Sequence, residues 1–572
     1  MSTRPPDAVE HDPSAYIPSH YYRYEELAAF MHALAARYSH LVKVYAIGRS
    51  VHGRDLWLAE VTNTATGPAD EKPGYWMDGN THATELAGSA ACLYALDLLT
   101  RTHGVDPDVT RLLDTRAVYI LPRLSPDGAE YCLETGDYLR SANRPYPFEE
   151  RWEGLRPQDI NGDGRILQMR VRDPRGEWKV CDREPRLLVK RAPDDHEGEF
   201  YRVYREGLIE DWDRFRIEVK PSPYRMDFNR NYPYNWVPEY DQGGAGSYPL
   251  SEPETRAVVD FLLAHPNVCG VNTYHTYSAV ILRPLSMKPD EELPISDLDT
   301  YKTLGARGTE LTGYPCMSAY HDFRDHPKEF IRGGFDDMCY EHLGVYAFTT
   351  EIWSIGKAAG LDVRDPMKFL CERTTDEMLR IFEWHDDEAL DAFVDWTPFE
   401  HPQLGPVEIG GWKTLLSWSN PPPRFLPEIC EKLTRFSMAH ALSSPRLVLD
   451  GFTQEVLSHE PVLRKLTLAV ANDGYLPTCV TSIARKRRIT RPIEVTLALP
   501  EGVELVMGLL RTELDHLDGI TNVVNAGYAD TTYFRGATEG HRQKLEWLVR
   551  GVGEVAVTVK SQRAGTVRAT LH

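Results

Sequence analysis

The stretch GYWMDGNTHATELAGSAACLYALDLLT, residues 74–100, carries the signals of a strand, a polar turn and a helix in succession. The part GYWMDGN predicts a strand, and GSAACLYALDLLT predicts a buried helix. Further strands are predicted in LVKVYAIG, LWLAEVTN and RAVYILP, and the pattern resumes with PNVCGVNTYHTYSAVILRP. Strands that alternate with helices are typical of an α/β domain, so we predict a mixed central sheet flanked by helices.

The α/β pattern has neighbours of different composition. A polar, proline-rich start predicts a flexible tail over residues 1–17, followed by the α/β domain over residues 18–395. Residues at about 144–222 are rich in Arg, Asp and Glu, and we interpret them as an insertion in that domain.

A second domain is predicted towards the C-terminus. Clustered prolines indicate a linker over residues 396–424, and a different pattern occupies residues 425–572. Apolar residues there alternate with polar ones, as at Leu466, Leu468 and Val470. This period of two, with turns between the runs, predicts an antiparallel β-sandwich.

Composition limits the function classes. The 572 residues carry a net charge of −21, which disfavours nucleic acid and anionic membranes as general partners. No apolar run is long enough to cross a membrane and no secretory leader is seen, so we expect a cytoplasmic protein. The nine cysteines are irregularly spaced without a CxxC pair, so we expect mostly reduced thiols.

His82 and Glu85 stand between the predicted strand and helix of residues 74–100. Two such side chains could ligate zinc, which in catalytic sites takes three protein ligands and keeps one open position. They could equally mark a helix start, with Glu85 bonding a free backbone amide. The pair by itself favours the helix start.

Three further motifs carry candidate chemistry. DFNRN holds Asp227, Asn229 and Arg230, and an Arg beside an Asn suits carboxylate binding. His275 ends the apolar strand VCGVNTY, where a ligand would fit, and Glu351 lies late in the strand YAFTTEIW, where burial would raise the pKa of its carboxyl. The alternatives are a polar loop, a hydrogen-bonded core histidine and a solvent-facing edge carboxylate.

Together these motifs resemble the M14 family of zinc carboxypeptidases. The resemblance rests on an ordered series: HATE, SPDG, YLRSANR, DFNRN, HTYS, GGFDDMCY and FTTEIW. YYRYEELAAF and IGRSVHGRDLW are similar to the opening of that family. Several weak motifs in one order are more specific than any one of them.

The resemblance implies a role for each matching position. It implies one zinc ion and, as partner, a peptide with a free C-terminal carboxylate, whose last peptide bond is cut by a zinc-activated water. The implied zinc ligands are His82, Glu85 and His275, and Asp227 is implied to orient a ligand histidine. Glu351 is the implied general base, and Arg140 the residue that polarises the scissile carbonyl. Asn229 and Arg230 are implied to bind the terminal carboxylate.

Two positions bear on substrate choice. The family carries a mobile Tyr that closes over the substrate; its position here is Glu329, and Tyr320 is the candidate replacement. Asp336 falls at the position that sets side-chain preference, where an acid favours C-terminal Lys or Arg, or the amine of a cell-wall peptide. The alternative is that Asp336 and Asp337 cap the following helix.

The insertion contains DINGDGRI, which fits the first half of a calcium loop. Asp159, Asn161 and Asp163 would be ligands, but position twelve is Arg170 where a Glu is needed. A Gly- and Asp-rich turn is therefore the favoured interpretation, with calcium as the alternative.

Three function classes remain open at this point. The first is a zinc metallocarboxypeptidase, the second a zinc amidohydrolase or deacylase on small acylated amino acids or cell-wall peptides, and the third a non-catalytic binding protein. The complete ligand, base and clamp set favours the first. Because about 17 residues precede the first helix, we expect an enzyme active as synthesised. The pattern does not choose a role for the sandwich or an oligomeric state.

Overall fold

The computed structural model describes residues 15–147, 154–324, 330–520 and 540–572. Most of the predicted tail (residues 1–14) and Glu329 lie outside this described part. The strands are β1 (Val42–Arg49), β2 (Asp55–Val61), β3 (Gly74–Gly79), β4 (Ala117–Leu121), β5 (Gly154–Pro157), β6 (Gln168–Arg172), β7 (Trp178–Cys181), β8 (Glu184–Lys190), β9 (Tyr201–Arg205), β10 (Gly207–Glu210), β11 (Val268–Thr276), β12 (Val280–Arg283), β13 (Cys316–Ser318), β14 (Tyr346–Ile352), β15 (Phe393–His401), β16 (Gly405–Trp412), β17 (Leu447–His459), β18 (Val462–Asn472), β19 (Ile493–Ala498), β20 (Glu504–Met507), β21 (Arg511–Leu514), β22 (Arg542–Arg550), β23 (Val555–Ser561) and β24 (Gly565–Leu571).

The α-helices flank and connect these strands. They are α1 (Tyr24–Arg37), α2 (Leu86–Thr102), α3 (Pro107–Thr115), α4 (Pro126–Thr135), α5 (Pro253–Ala264), α6 (Ile295–Thr312), α7 (Ala319–Asp322), α8 (Phe335–Met338), α9 (Ile355–Ala358), α10 (Pro366–Cys371), α11 (Thr375–Asp387), α12 (Leu426–Leu442) and α13 (Ser482–Arg487). Among the described residues no helix is both long and apolar enough to span a membrane.

A mixed sheet forms the centre of the molecule. In the described chain its strand order is β1-β2-β4-β3-β11-β14-β12-β13. The inner strands β4, β3, β11 and β14 run parallel, whereas β2 and β12 join them antiparallel. This sheet with its flanking helices confirms the predicted fold class.

Both faces of the sheet are covered, which explains the nearly continuous apolar character of its inner strands. Strand β3 is buried along its whole length. Tyr75 and Met77 belong to the core under α2, and Trp76 packs on the opposite face with Phe261 of α5.

The parallel inner strands all end at one edge of the sheet. There β3 leads into residues 80–85, while His275 and Glu351 lie in register near the ends of β11 and β14. Helix α2 begins close to this edge. Its backbone at Gly88 packs directly on Gly79, where a Cβ would lie 2.4 Å from the carbonyl carbon of Gly88. Ligands bind at such an edge in open α/β sheets.

Residues 396–424 differ from the predicted linker, because β16 and most of β15 lie in this region. These strands pair with the insertion in a second sheet, of order β15-β16-β6-β9-β7-β8 in the described chain. Pro398 lies on β15 at the sheet edge, where a missing amide is tolerated. Pro406 precedes the residues of β16 that bond β6, which begin at Glu408. The prolines therefore mark an edge hairpin.

The predicted sandwich start at residue 425 is also wrong, because α12 belongs to the α/β domain. It packs against α2 and α6, with Leu433 and Phe436 buried in the cores of that domain. The sandwich begins at β17 and consists, among the described residues, of the antiparallel sheets β17-β18-β22-β20 and β21-β19-β23-β24. Leu466, Leu468 and Val470 are buried between them, as the alternation predicts.

Candidate metal centre and substrate site

Three side chains at the sheet edge converge on one point. His82 Nδ1 lies 2.8 Å from Glu85 Oε1, and His275 Nδ1 lies 3.0 Å from Glu85 Oε2 and 3.1 Å from His82 Nδ1. All three residues are buried. Among the described residues, these three side chains form the cluster of His, Cys, Asp or Glu groups that could hold a metal ion.

The donor atoms of this group fit zinc. Two imidazoles and a carboxylate are a donor set of catalytic zinc sites, and ligand atoms about 2.0–2.1 Å from a tetrahedral ion would stand about 3.3 Å apart. Glu85 Oε2 is buried and makes no hydrogen bond of acceptable geometry in the described structure, although His275 is close. A cation between these atoms would satisfy them.

The local electrostatics favour positive charge at this point. Burial opposes ionisation of His275, but the adjacent Glu85, followed by Glu351, raises its pKa to about 9. Burial likewise opposes the charge of Glu85, but His82 and His275 hold the pKa of that carboxyl well below its ordinary value. Buried Asp78 lies close enough to interact with His275 as well.

The helix-start interpretation of Glu85 holds for its backbone but not for its side chain. Glu85 is the N-cap residue of α2, but its side chain makes no capping hydrogen bond. The carboxylate points instead to His82 and His275. Helix α2 therefore fixes the backbone of Glu85 and leaves its side chain available as a ligand.

Asp227 lies behind His82. Its Oδ1 is 3.1 Å from His82 Nε2, and its Oδ2 accepts a hydrogen bond from Arg140 Nε at 2.8 Å. With Nε2–H donated to Asp227, Nδ1 of His82 presents its lone pair to the metal group. Although burial opposes the charge, Arg140, Arg230 and His82 hold the pKa of Asp227 well below its ordinary value.

Arg140 and Glu351 both lie beside the group. A guanidinium nitrogen of Arg140 is 3.8 Å from Glu85 Oε1. Glu351 pairs with His275 in the sheet, and burial, then the neighbouring Glu85, raises the pKa of the Glu351 carboxyl to about 8. A carboxyl with such a pKa can exchange a proton near neutral pH.

Asn229 and Arg230 lie on the short 3-10 turn Phe228–Arg230, directly after Asp227. Asp227 Oδ1 accepts the amide of Asn229, and the Arg230 guanidinium stands 3.9 Å from Asp227 Oδ2. Asn229 Oδ1 accepts the amide of Phe335 at 2.9 Å. Because the side-chain oxygen of Asn229 accepts this bond, its Nδ2 group can donate to a carboxylate. The guanidinium of Arg230 on the same turn could bind that carboxylate as well.

Asp336 is buried at the start of α8. Its Oδ1 accepts the amide of Asp337 at 2.9 Å, and its Oδ2 accepts the Thr349 hydroxyl at 3.1 Å. Gly334 is the N-cap residue of this helix, and the helix has no side-chain cap. Burial raises the pKa of Asp336, and the carboxyl interacts with Glu351 and His275.

Tyr320 lies on α7. Its ring stacks on Phe330 with centroids 5.4 Å apart, and the Arg324 guanidinium lies 4.6 Å from the ring centroid. Since Glu329 lies outside the described residues, the choice between these positions for a substrate-closing side chain stays a prediction.

The calcium interpretation of the insertion loop is not supported. Asp159 accepts the amides of Gly162 and Gly164, and Asp163 accepts that of Arg165. These are the contacts of a self-contained turn, as the favoured interpretation expects.

Asn80 is a site residue that the motif analysis missed. Its Nδ2 donates to the carbonyls of His82 and Ala83 at 2.8 and 3.1 Å, and its φ of 61° turns the chain out of β3. Asn tolerates this left-handed conformation better than most residues. The signal was an Asn immediately after a buried strand and before the ligand pair.

Comparison with known proteins decides the family. The zinc carboxypeptidase family model matches residues 27–163 and 194–374, more than half of the chain. The chain belongs to the M14 zinc carboxypeptidase family. Both matched segments lie in the α/β domain and its insertion, and residues 446–572 match a domain family of unknown function.

The chain is also similar to individual carboxypeptidases and to a solved structure. Carboxypeptidase M of Mus musculus is 30% identical over 126 residues, 22% of this chain and 28% of that protein. Carboxypeptidase A2 of Rattus norvegicus is 24% identical over 339 residues, 58% of this chain and 62% of that protein. The chain thus spans less than two thirds of the length of these two carboxypeptidases. Among solved structures, thrombin activatable fibrinolysis inhibitor aligns with 76% of this chain and 77% of its own, at 17% identity and a TM-score of 0.44.

Proposed function

We propose that this M14 family member is a zinc-dependent metallocarboxypeptidase that hydrolyses the C-terminal peptide bond of peptides. The observation that carries the proposal is the position of Asp227. One of its oxygens contacts His82 of the metal group, and the other lies near Arg230 of the carboxylate clamp. A terminal carboxylate held by Asn229 and Arg230 would therefore place the last peptide bond beside the metal group.

The chain would hold zinc through His82, Glu85 and His275. Bound there, the ion would supply Lewis-acid polarisation of the scissile carbonyl and make water easier to deprotonate. Glu351 takes the proton from the attacking water and delivers it to the leaving amine. Arg140 donates hydrogen bonds to the oxygen that becomes negative as the carbonyl is attacked.

The clamp explains why the enzyme would act at the chain end. The Arg230 side chain is 18% exposed and stands 3.9 Å from Asp227 Oδ2, so a substrate carboxylate would add a second negative group beside its guanidinium. Hydrogen bonds in which donor and acceptor are both charged are stronger than those to a neutral amide. An amidated peptide would therefore bind poorly.

We further propose that Asp336 selects a basic C-terminal residue. Its two hydrogen bonds come from uncharged donors, Asp337 N and Thr349 Oγ1, and burial raises the pKa of its carboxyl, so a cation placed beside it would favour its charged form. A substrate ammonium or guanidinium would be such a cation and would form an ion pair with Asp336.

The test is a hydrolysis panel on the zinc-loaded full chain. The substrates are N-blocked tripeptides ending in Lys, Arg, Phe or Ala, their amidated counterparts, cell-wall peptides and small acylated amino acids. We expect release of the last residue from free-carboxylate tripeptides, fastest for Lys and Arg. Hydrolysis of acylated amino acids without any tripeptide hydrolysis would overturn the carboxypeptidase proposal in favour of an amidohydrolase.

A further inference from the structure

A short helical segment links the substrate site to the sandwich. This segment, Phe335–Leu343, consists of α8 and a following π turn, and we term it the connecting helix. At its first residue the backbone amide is held by Asn229 of the clamp. Asp336 lies in its first turn and bonds Thr349, two residues before the proposed base on β14.

The other end of the connecting helix is held by the sandwich. The last carbonyls of a helix lack internal partners and carry partial negative charge. Arg563 donates to the carbonyl of Leu343 and, at 2.7 Å, to that of Gly344. The Thr481 hydroxyl donates to Gly344 as well, at 2.9 Å.

Arg563 is a buried cation that donates hydrogen bonds to these carbonyls. It is 3% exposed, and a guanidinium so deep costs free energy unless polar groups compensate for lost water. The described hydrogen bonds of its guanidinium run to the backbone carbonyls of Leu343, Gly344 and Cys479. The C-terminal charge of the connecting helix therefore stabilises Arg563, and Arg563 in turn fixes the end of that helix.

Arg487 makes a second connection from the sandwich side. It donates to the Glu341 carbonyl at 2.5 Å and pairs with the Glu341 carboxylate at 2.5 Å. The other carboxylate oxygen of buried Glu341 accepts the Tyr234 hydroxyl at 3.1 Å. Tyr234 lies four residues after Arg230, so this chain of contacts reaches the segment that carries the clamp.

We propose that Arg487 and Arg563 are positioning residues for substrate recognition, through which the sandwich holds the connecting helix and with it Asp336 and Asn229. This inference rests on the proposed carboxypeptidase function. It gives the C-terminal domain a defined role, because the sandwich then sets the distance between the basic-residue pocket and the metal group. Displacements of about 1 Å in such a site can change rates by about a hundredfold.

The experiment uses Arg487→Gln in the zinc-loaded full chain. Arg487 is 45% exposed, so the variant should fold. Arg485→Gln is the matched control on the same short helix, because Arg485 pairs with Asp515 inside the sandwich. Arg568→Gln is the second control, because it removes another contact between the domains, with Glu71.

For Arg487→Gln we expect KM for Lys-ending tripeptides to rise about tenfold, kcat to change by no more than about twofold, and zinc content to stay at one per chain. The KM ratio between Lys-ending and Ala-ending peptides should move towards one. Both controls should keep the wild-type KM ratio. A lowered melting temperature with an unchanged KM ratio would show a purely structural contact and overturn the inference.

Amide hydrogen exchange gives a readout that does not need activity. In Arg487→Gln and in Arg563→Gln, exchange should accelerate in the connecting helix and around Thr349, but not in β3 or β11. Inactive wild-type enzyme with this exchange pattern would refute the carboxypeptidase proposal alone. Active enzyme with unchanged exchange would refute the positioning role alone.

Discussion

At the scale of single residues, Asp227 determines how the site is organised. It fixes the tautomer of His82, orients Arg140 and begins the turn that carries Asn229 and Arg230. Three functions proposed for separate side chains thus depend on one buried carboxylate. Replacing it would disturb metal binding, oxyanion stabilisation and carboxylate binding together, whereas the following changes separate the roles.

Glu351→Gln should lower kcat by about 10²–10⁴ while zinc remains bound, because the amide keeps the shape but accepts no proton. Steady-state kinetics and metal analysis on the same preparation measure both quantities. Glu292→Gln, at an exposed position, is the control. Retention of substantial activity would show that another group is the base.

Asp336→Ile should reverse the side-chain preference of the enzyme. Removing the carboxylate deletes the ion pair with Lys or Arg and leaves an apolar wall, so kcat/KM should fall at least about tenfold for Lys and rise for Phe. Asp336→Asn, which removes the charge and keeps the size, should lose the Lys preference without gaining Phe activity. An unchanged Lys-to-Phe ratio in both variants would exclude the basic pocket.

At the scale of elements, the first turn of α5 carries a buried carboxyl group. Glu254 Oε1 accepts the amide of Val51 at 3.1 Å, and Glu254 is only 2% exposed. Burial raises the pKa of this carboxyl from 4.5 to about 7. The folded protein therefore retains a proton on Glu254 in a pH range where the unfolded chain has lost it.

This difference makes stability depend on pH. Between about pH 4.5 and 7 the native state binds more protons at Glu254, so its contribution to stability falls as pH rises. A shift from 4.5 to about 7 corresponds to roughly 3 kcal/mol. Glu254→Gln keeps the acceptor for Val51 and should be more stable than wild type by up to that amount at pH 8, and equally stable at pH 4.5.

Urea unfolding at both pH values measures the effect of Glu254→Gln. The exposed Glu291→Gln provides the control for the removal of one negative charge. Equal gains from the two variants at pH 8 would attribute the effect to net charge rather than to burial of Glu254.

At the scale of the whole molecule, the metal group joins segments that are distant in the chain. His82 and Glu85 follow β3, and His275 lies on β11, 193 residues after His82. The insertion is joined to residues after the central sheet by the second sheet, and the sandwich contacts the connecting helix. Local changes at these junctions should affect the stability of the entire fold.

Zinc removal should therefore lower the melting temperature. A ligand bound only by the native state stabilises it by about 4 kcal/mol when its free concentration exceeds the dissociation constant a thousandfold. Calorimetry before and after chelation, with zinc restored in a third scan, measures the change. His275→Ala should melt as the chelated protein does and should not respond to zinc. A melting temperature independent of zinc in the wild type would contradict the metal assignment.

The sequence determined the local elements and the candidate side chains. The strand–turn–helix of residues 74–100 and the alternation at Leu466–Val470 depend on neighbours in the chain, so spacing was sufficient to predict them. The ordered motifs gave the family, since each names residue types that its chemistry needs. The clustered prolines led to the incorrect prediction of a linker, because a proline that often ends a strand is also tolerated at a sheet edge.

Only the tertiary structure decided which distant segments meet. It placed His275 against His82, paired β16 with the insertion, docked α12 on the α/β core and brought Arg487 and Arg563 to the connecting helix. These contacts are sums of many weak interactions between residues far apart in the chain, and no local spacing records them. The sequence thus supplied the functional groups, and the fold set the distances between them.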